Sequence, residues 1–473
     1  MKSDCIEHLH LHLQSQRAAY LREPFPGLEQ RLDRLRRLGE LVAEHGEAFV
    51  DRISADFGQR SAHETRLYEL AVLDATLRHA VKHLPQWMRT QRIKTALHFL
   101  PGSNRLMPQP LGVVGVIAPW NYPVLLALAP VVAALAAGNR VMLKPSELTP
   151  RTSQLLARAV AQYFAPDEFT VIIGDARTAQ AFAGLRFDHL FFTGSTAIGR
   201  QVAQQAAANL TPVTLELGGK SPALVHDSTD LPLTAERLAH GKLMNAGQTC
   251  VAPDYVLAPK SLAKPLAEAI AAAMKRLYPT LAHNPDYSSI VSPRHYARLQ
   301  GMLVEAKAMG AQLLQPHKAE KLDPLARKLH PTVVLKSKPE MQLRREEIFG
   351  PILPVLPYDS LDAAIDHIQR EERPLALYWF GDTRHADCQR VLRETHAGGV
   401  TLNDCIWHLG QEEQPFGGIG ASGQGSYHGE WGFRTFSKDK PIFHNPPLAA
   451  TKLLQPPYGA LFDGMLALLR RIA

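Results

Sequence analysis

Hydrophobic residues recur every three or four positions through about the first hundred residues of the chain, which predicts helices. The leucines of this stripe are Leu28, Leu32, Leu35, Leu38 and Leu41, followed by Leu67, Leu70, Leu73 and Leu77. Charged residues separate them, so each helix is expected to bury one face and to expose the other. We therefore expect the chain to begin with amphipathic helices.

From Leu111 onward, short apolar runs alternate with helical stretches. The strand-like runs cover residues 113–117, 141–143, 170–173 and 189–192, and the helical stretches cover 124–137, 152–163 and 197–208. A second alternating block covers residues 224–402. This alternation is typical of parallel sheets that carry helices on both faces. The predicted fold class is therefore α/β, with two parallel-sheet units.

Three segments lie outside this alternation. Residues 96–110 contain a turn at Pro101-Gly102-Ser103-Asn104, which predicts two short strands joined by that turn. Residues 124–137 carry no charge but are too short to span a membrane, so a buried helix is expected. Residues 458–473 are apolar but interrupted by Asp463, Arg470 and Arg471, which predicts an amphipathic terminal helix and leaves a membrane-surface anchor as the alternative.

Composition narrows the class of protein. A chain of 473 residues with 45% hydrophobic and 21% charged residues predicts a globular protein of at least two domains. Its net charge of +7 suits an anionic ligand, although an ordinary basic surface explains it as well. Nucleic-acid binding is not expected, because no dense basic run is interleaved with aromatic residues. We also expect no stable insertion into a membrane.

The four cysteines, Cys5, Cys250, Cys388 and Cys405, form no C-x-x-C pair, so zinc ribbons and dithiol redox motifs are not expected. Together with a start that lacks an apolar signal core, they predict a protein of the reducing cytoplasm. The run His8-Leu9-His10-Leu11-His12 does not predict a metal site, because residues two positions apart do not share a helix face. No metal is expected.

Two motifs suggest covalent chemistry on a carbonyl. Cys250 ends residues 245–250 (NAGQTC), and Glu216 opens residues 216–222 (ELGGKSP). A thiol is a good nucleophile, and a carboxylate can activate water. The pair predicts that a thioester forms and is then cleaved by water.

Three further motifs follow strand-like runs, where α/β sheets present ligand-binding groups. Asn121 in residues 119–123 (PWNYP) could donate to an oxyanion, or it could cap a proline-rich turn. Lys144 and Glu147 in residues 144–147 (KPSE) suit ribose hydroxyls, but a helix start explains them equally. Residues 192–199 (FTGSTAIG) suit either a pyrophosphate at a helix start or an ordinary turn.

Two motifs near the end of the chain have weaker signals. Residues 418–423 (GIGASG) match the dinucleotide fingerprint G-x-G-x-x-G, but no strand-like run precedes them directly, so we interpret them as a flexible loop at the mouth of the site. The adjacent acids Glu346 and Glu347 are either a solvated surface pair or, with Phe349, a contact to a ribose and a flat heteroaromatic ring.

Taken together, these runs resemble the aldehyde dehydrogenase superfamily. The resemblance rests on residues 119–123, 144–147, 192–199, 216–222, 245–250 and 347–351, in the order of the family, and continues through 402–403 and 415–418. Residues 422–429 (SGQGSYHG) and the short chain are similar to the class 3 branch, and within it to bacterial coniferyl aldehyde dehydrogenases.

The resemblance implies a fold of two Rossmann-like domains with a small oligomerisation sheet. The implied boundaries are 1–95 and 111–218 for the NAD-binding domain, 219–418 for the catalytic domain, 96–110 and 434–450 for a hairpin and arm, and 451–473 for a tail helix. The hairpin and arm imply a homodimer.

The resemblance also implies roles for individual residues. Cys250 is the implied nucleophile, Glu216 the base, and Asn121 the oxyanion donor together with the backbone N–H of Cys250. The implied NAD contacts are Trp120, Lys144, Glu147, Gly174, Thr193, Gly194, Ser195, Leu217, Glu347 and Phe349. Reaction of the thiolate requires either a lowered pKa of Cys250 or loss of its proton when the cofactor binds.

Several alternatives stay open. Transfer of the acyl group to coenzyme A is disfavoured by Glu216, which would hydrolyse the thioester. NADP stays possible beside NAD, although Glu147 should repel a 2′-phosphate. A non-catalytic binding or structural protein on the same fold is the alternative of a different class. Tyr122 and Trp407 either line a tunnel for an aromatic aldehyde such as coniferaldehyde or pack in the core, and a medium-chain aliphatic aldehyde is the alternative substrate.

Overall fold

A computed structural model of the protein describes residues 2–448, 451–452 and 455–472. Its helices are α1 (Lys2–Arg22), α2 (Leu28–Phe57), α3 (Ala62–Thr65), a π-helical turn (Arg66–Ala71), α4 (Val72–Trp87), α5 (Leu125–Ala136), α6 (Pro150–Tyr163), α7 (Ala176–Ala183), α8 (Thr196–Ala207), α9 (Leu231–Leu243), α10 (Lys260–Leu277), α11 (Pro293–Ala308), α12 (Gln342–Arg345), α13 (Leu361–Arg370), α14 (Ala386–Glu394), α15 (Gly429–Thr435) and α16 (Ala460–Ile472). Its strands are β1 (Gln91–Ile93), β2 (Ser103–Pro110), β3 (Val113–Ile117), β4 (Arg140–Lys144), β5 (Phe169–Val171), β6 (His189–Thr193), β7 (Val213–Glu216), β8 (Pro222–Val225), β9 (Tyr255–Pro259), β10 (Gln312–Leu314), β11 (Thr332–Leu335), β12 (Ile352–Tyr358), β13 (Ala376–Phe380), β14 (Gly399–Leu402), β15 (Gly423–Gln424) and β16 (Ser437–His444).

The first sheet has six strands in the order β15-β7-β6-β3-β4-β5. All neighbours are parallel except β15, which pairs antiparallel with β7. Successive residues of β3 enter different cores: Val114 and Val116 pack in one cluster, and Val113 and Ile117 pack in another. Because side chains alternate across a strand, this sheet is buried on both faces, as the apolar runs predicted.

The second sheet has seven strands in the order β10-β11-β12-β9-β8-β13-β14, and only β10 runs antiparallel to its neighbour. Its central strands are also buried on both faces: Tyr378 and Phe380 belong to one core cluster, and Leu377 and Trp379 belong to another. The prediction of an α/β fold with two Rossmann-like parallel sheets is confirmed.

A third, antiparallel sheet has the order β1-β2-β16. Its first strand, Gln91–Ile93, lies before residue 96, and residues 97–99 form a 3-10 turn, so the expected strand pair within 96–110 was misplaced. All three residues of β1 are exposed, and they pair with residues 104–106 of β2. No apolar run marks this strand in the sequence, because the strand forms by pairing with β2 and not by burial of its side chains.

The apolar stretch around 124–137 forms α5, and eleven of its twelve residues are buried. This confirms the predicted core helix. Among the described residues, no helix is both long enough and apolar enough to cross a membrane. The expected terminal helix is present as α16, in which Leu461 is 68% exposed.

The two large sheets meet through a short connection. Strand β7 ends at Glu216 in the first sheet, and β8 begins at Pro222 in the second. Cys250 follows α9, which comes directly after β8. The two motifs that suggested covalent chemistry therefore lie at the join between the two sheets.

Candidate active site

Cys250 is presented by a strained loop. The three residues Asn245, Ala246 and Gly247 have positive φ angles of 50°, 51° and 78°. This conformation is unfavourable for residues other than glycine, so neighbouring structure must hold it. The carboxylate of Glu64 does so by accepting a bond of 3.0 Å from the backbone N–H of Asn245.

Gln248 fixes the rest of this loop from inside. Its Nε2 donates to the carbonyls of Asn245 and Ser289, each at 3.0 Å, and its Oε1 accepts from the N–H of Val291 at 2.9 Å. The side chain is fully buried. Cys250, two residues further on, is therefore held by a rigid support, as a positioned nucleophile requires.

Glu216 ends β7 and is 3% exposed. Neither carboxylate oxygen has a hydrogen-bond partner among the described residues. Burial raises the pKa of Glu216 well above its usual value, so its protonated form is favoured and its ionised form is a stronger base than an exposed carboxylate. An unpartnered buried carboxyl group is rare and indicates a ligand or a catalytic role.

The glycine-rich run 418–423 supports the strand that carries Glu216. Gly423 pairs with Glu216 across β15 and β7, and the N–H of Leu217 donates to the carbonyl of Ser422 at 3.0 Å. A Cβ atom on Gly418 would lie 2.0 Å from that same carbonyl oxygen. Residues 418–422 are a loop, as expected, but they line neither cavity: they lead into the edge strand β15 at Gly423, and Gly418 is needed for close backbone packing.

Asn121 lies against the cysteine loop. Its Nδ2 donates to the carbonyl of Gln248 at 3.2 Å, and its side chain is almost fully buried. Its backbone carbonyl accepts from Arg60 at 2.7 Å and from Asn245 Nδ2 at 3.0 Å. The structure thus brings Asn121 and the Cys250 loop together, with one amide hydrogen of Asn121 left for a ligand.

Sequence reasoning missed the ion pair that holds this segment. Arg60 Nη1 lies 3.0 Å from Glu69 Oε1, and both side chains are completely buried. Glu69 Oε2 also accepts from the N–H groups of Val124 and Leu125, at 2.7 and 3.1 Å, at the start of α5. The Arg60 guanidinium lies 4.7 Å from the ring centre of Tyr122. In the sequence, this pair is indicated only by Glu69, a charged residue among the leucines of the π-helical turn.

A cleft of about 510 Å³ opens between the two sheets. Among the predicted cofactor contacts, those that line it are Trp120, Thr193, Gly194, Ser195, Leu217, Glu347 and Phe349. Asn121, Glu216 and Cys250 line its inner end. The cleft therefore collects residues from five separate motifs of the sequence.

The N-terminus of α8 faces this cleft. Ser195 precedes the helix and makes no side-chain cap bond, and Thr196 and Ala197 of the first turn line the cleft. A Cβ atom on Gly194 would lie 2.5 Å from the ring of Phe192, so glycine is needed there. Free N–H groups at the start of a twelve-residue helix are suited to a phosphate.

Aromatic rings form another wall of the cleft. The ring of Trp120 lies 5.4 Å from that of Phe349 and 5.1 Å from that of His295, measured between ring centres. His295 was not predicted from the sequence, because nothing in its run marks it as part of the site. Burial lowers the pKa of His295 to about 4, so this imidazole is neutral at pH 7 and contributes a flat, uncharged surface.

Glu347 lies at the side of the cleft nearest the join. A Cβ atom on Gly218 would lie 2.2 Å from its Oε2, so the carboxyl group rests on that glycine. Burial, followed by the negative charge of Asp254, raises the pKa of Glu347 to about 8. Asp254 is itself fixed, since Oδ1 accepts from the N–H of Ile348 at 2.9 Å and Oδ2 pairs with Lys220.

Three predicted cofactor contacts do not line the cleft: Lys144, Glu147 and Gly174. Lys144 is buried at the end of β4, where its Nζ donates to the carbonyl of Pro145 at 2.6 Å and lies 3.6 Å from Glu147 Oε2. Gly174 follows β5, and a Cβ atom there would lie 2.3 Å from Thr178 Oγ1. Lys144 ends β4, Glu147 follows that strand, and Gly174 follows β5. The three residues therefore lie at the same carboxyl edge of the sheet that carries the cleft.

A second cavity of about 90 Å³ reaches Cys250 from another direction. Both predicted substrate contacts line it: Tyr122, whose hydroxyl group is bonded to Thr249 Oγ1 at 2.7 Å, and Trp407, which is 47% exposed. Its other hydrophobic lining includes Tyr68, Val72, Leu125, Met244, Ile406, Leu409, Phe416 and Tyr427. This cavity suits an apolar or aromatic group.

The cleft and the second cavity meet at the predicted catalytic pair. The described residues that line both are Leu126, Thr193, Glu216, Leu217 and Cys250. A ligand in the second cavity can therefore present a carbonyl group to the thiol while a second ligand occupies the cleft. This geometry suits a reaction between two bound molecules at one sulfur atom.

The chain is similar to proteins of one known family. The model of the aldehyde dehydrogenase family matches residues 25–442. The chain is 47% identical to a probable coniferyl aldehyde dehydrogenase of Pseudomonas aeruginosa, over 94% of this chain and 92% of that protein. It is 45% identical to the coniferyl aldehyde dehydrogenase of Pseudomonas sp. strain HR199, over 97% and 95%. It is 38% identical to aldehyde dehydrogenase family 3 member A2 of Macaca fascicularis, over 91% and 87%.

Solved structures agree with this assignment. The substrate-bound state of Staphylococcus aureus AldH superposes with a TM-score of 0.91 at 34% identity, covering 97% of this chain and 99% of that one. An aldehyde dehydrogenase of Mycobacterium tuberculosis complexed with NAD+ superposes with a TM-score of 0.83 at 27% identity, covering 94% and 91%. The resemblance to this family and to bacterial coniferyl aldehyde dehydrogenases is confirmed.

The pKa of Cys250 generates a prediction about its reactivity. Burial, followed by the charges of Glu347 and Glu216, raises this pKa to about 12, so the expected lowering does not occur in the protein alone. The thiolate is the reactive form, and its fraction grows about tenfold per pH unit below the pKa. The rate of alkylation by iodoacetamide should therefore keep rising from pH 7 to 10, with the Cys250→Ser variant giving the background. A plateau below pH 8 would contradict this assignment.

The buried ion pair generates a second prediction. Arg60→Met leaves Glu69 buried without its counter-charge, which should lower the free energy of unfolding by about 3–5 kcal/mol. The matched control is Arg66→Met, which breaks an exposed pair with Glu47 and should have little effect. Urea unfolding of both variants measures the difference. Equal stability of the two variants would show that the buried pair does not hold this segment.

Proposed function

The chain belongs to the aldehyde dehydrogenase family, and we propose that it oxidises an aromatic aldehyde such as coniferaldehyde to the carboxylate with NAD. The observation that carries this proposal is the meeting of two cavities at Cys250 and Glu216. One cavity is apolar and aromatic, and the other ends at a helix N-terminus. A non-catalytic role would not need a thiol and an unpartnered carboxyl group at that junction.

The cleft residues fit a dinucleotide. The free N–H groups of α8 suit the pyrophosphate, the Trp120 and Phe349 rings suit a flat heteroaromatic ring, and Glu347 suits ribose hydroxyls. When bound, the nicotinamide ring supplies the acceptor for the hydride that leaves the substrate carbon. The chain supplies the remaining chemistry.

We propose NAD in preference to NADP because of where the Glu147 carboxylate lies. Its carboxylate lies 3.6 Å from Lys144 at the edge of the sheet that carries the cleft, and its side chain is 44% exposed. A carboxylate there accepts from paired ribose hydroxyls and repels a 2′-phosphate. The ratio of kcat/KM for the two cofactors measures this preference, and a higher value with NADP would contradict it.

The first step is attack of the Cys250 sulfur on the aldehyde carbon. Because burial keeps the thiol protonated in the protein alone, its proton must leave before or during the attack. Of the titratable residues described, Glu216 alone lines both cavities together with Cys250, and we assign it as the acceptor when it is ionised. The product is a thiohemiacetal whose oxygen carries negative charge.

Asn121 and the backbone N–H of Cys250 stabilise that oxyanion. Asn121 is fixed by the bonds that its backbone carbonyl accepts from Arg60 and Asn245, so its Nδ2 needs little reorganisation to donate. Donors placed in advance stabilise developing charge strongly in a buried site. Loss of hydride from the carbon then leaves a thioester on Cys250.

Hydrolysis of the thioester is assigned to Glu216. After the proton taken from the thiol has left to solvent, the unpartnered carboxylate takes a proton from water and the water oxygen attacks the thioester carbon. The carbon–sulfur bond then breaks, which releases the product acid and returns Cys250 as the thiolate. The raised pKa of Glu216 makes this step faster as pH increases through that pKa, because only the ionised form accepts the proton.

A free thiol on Cys250 is consistent with the expected reducing cytoplasm.

The small sheet is proposed as the surface of a homodimer. Strand β16 pairs only with β2 among the described residues, and Ile442 and Phe443 of this strand are 36% and 45% exposed. Exposed apolar residues on an open edge strand favour pairing with another chain. Sedimentation equilibrium measures the assembly, and a monomer mass at micromolar concentration would contradict it.

The two catalytic residues generate distinguishable predictions. Cys250→Ser should abolish NADH formation, because the nucleophile is lost. Glu216→Gln should form at most one equivalent of NADH per chain and then stop, because the thioester is not hydrolysed, and this single turnover should be slowed because the thiol has lost its proton acceptor. Rapid-mixing absorbance at 340 nm measures both, with Glu340→Gln, at an exposed glutamate that lines neither cavity, as the control. Full steady turnover in Glu216→Gln would remove Glu216 as the hydrolytic base.

The substrate class is tested by a panel of aldehydes with NAD. The aromatic lining of the second cavity predicts a higher kcat/KM for coniferaldehyde than for hexanal or decanal. Trp407→Ala should reduce the value for coniferaldehyde about tenfold and change hexanal less, because it removes one aromatic wall. A higher kcat/KM for decanal than for coniferaldehyde would favour the aliphatic alternative.

A further inference from the structure

Two histidines and a glutamate converge on the surface of α4. His79 and His83 lie one turn apart on this helix, with ring centres separated by 4.2 Å. Glu413, which is 334 positions away from His79 in sequence, places its Oε1 2.8 Å from His79 Nε2. One possible ligand atom of each residue lies within 4.8 Å of the other two.

The protein leaves nitrogen atoms of this cluster unused. Among the described residues, the Nδ1 atoms of His79 and His83 are buried and have no hydrogen-bond partner. Buried polar atoms are nearly always satisfied, so two orphaned nitrogens side by side indicate a missing partner. The Glu413 side chain is 80% exposed, which gives a solute access from water.

The residue types and spacing match those of zinc sites. Two histidines four positions apart on a helix face can bind one cation together. Imidazole nitrogen and carboxylate oxygen are normal Zn²⁺ ligands at about 2.0–2.2 Å, with a water molecule in the fourth position. We propose that His79, His83 and Glu413 bind a divalent cation of this type. The exposed Glu413 side chain has the freedom to close the wider distances in the cluster.

A second cluster, His226, His385 and Asp387, has similar spacing but is already satisfied. The N–H of Ser228 donates to His226 Nδ1 at 3.2 Å, and His226 Nε2 lies 3.3 Å from Asp387 Oδ2. His385 Nδ1 accepts from the N–H of Asp387 at 3.2 Å and so caps α14. The hydrogen bonds and ion pair of this cluster therefore account for its geometry without a cation, and the cluster serves as a control.

The proposed cation would fasten the wall of the second cavity. Glu412, next to Glu413, accepts from Thr76 Oγ1 of α4 at 2.5 Å and from the N–H of Gly429 at 3.0 Å. Thr76 and Leu409 both line that cavity. A cation held by His79, His83 and Glu413 would strengthen the connection between α4 and this segment that the His79–Glu413 contact already makes, so it should restrict the opening of the cavity at that side.

The test is a Zn²⁺ titration against a chromophoric chelator. The Cys250→Ser protein is the starting material, because it lacks the reactive thiol as a ligand. We expect His83→Gln and Glu413→Gln each to lose the tightest site, with at least a tenfold weaker affinity. His385→Gln should keep it. Co²⁺ in place of Zn²⁺ should give visible absorption bands that disappear in the same two variants.

Another control separates this site from chelation by two histidines alone. His8 and His12 also lie four positions apart on a helix, with Nε2 atoms 3.0 Å apart, but no carboxylate of the described residues joins them in a three-ligand group. His12→Gln should therefore leave the tightest site intact. Unchanged Zn²⁺ affinity in both His83→Gln and Glu413→Gln would overturn the proposal. Because Glu413 is exposed, its variant is expected to keep the fold and gives a result even if His83→Gln unfolds.

Discussion

The buried ion pair between Arg60 and Glu69 determines where the candidate active site stands. Arg60 holds the backbone carbonyl of Asn121, and Glu69 holds the two N–H groups that begin α5. The segment that carries Asn121 is therefore fixed at both ends by one pair of charges. Burying such a pair is costly, and here each charge also binds backbone groups, which offsets part of that cost. The proposed oxyanion donor depends on this arrangement.

Burial has a second consequence in the protein without a cofactor. The pKa values of Cys250, Glu216 and Glu347 are all raised, mainly because each group is removed from water. At neutral pH the Cys250 thiol and the Glu347 carboxyl group are therefore mostly uncharged, and burial shifts Glu216 in the same direction. A positively charged ring in the cleft would favour their ionised forms through its own charge. The same burial that keeps the thiol unreactive thus links its activation to occupation of the cleft.

Local patterns were sufficient for much of the fold. The strands at 113–117, 140–144 and 189–193 are buried on both faces, so they appear in the sequence as continuous apolar runs. Strand Gln91–Ile93 is exposed and depends on a partner strand, which no local pattern reveals. Cys250, Glu216 and Asn121 could be predicted from their motifs. Arg60, Glu69 and His295 could not, because their contacts join segments far apart in the chain.

The two cavities differ in a way that constrains the proposed hydrolysis. The second cavity, about 90 Å³, is apolar and would hold the acyl group of a thioester on Cys250. The cleft, about 510 Å³, is the larger space on the other side of the same sulfur, and Glu216 faces both. Once an acyl group fills the second cavity, the cleft is the remaining space beside Cys250 and Glu216 from which water could reach the thioester. A dinucleotide held by Trp120, Ser195 and Glu347 would occupy that space, so the access of water to Glu216 would depend on how much of the cleft the dinucleotide covers.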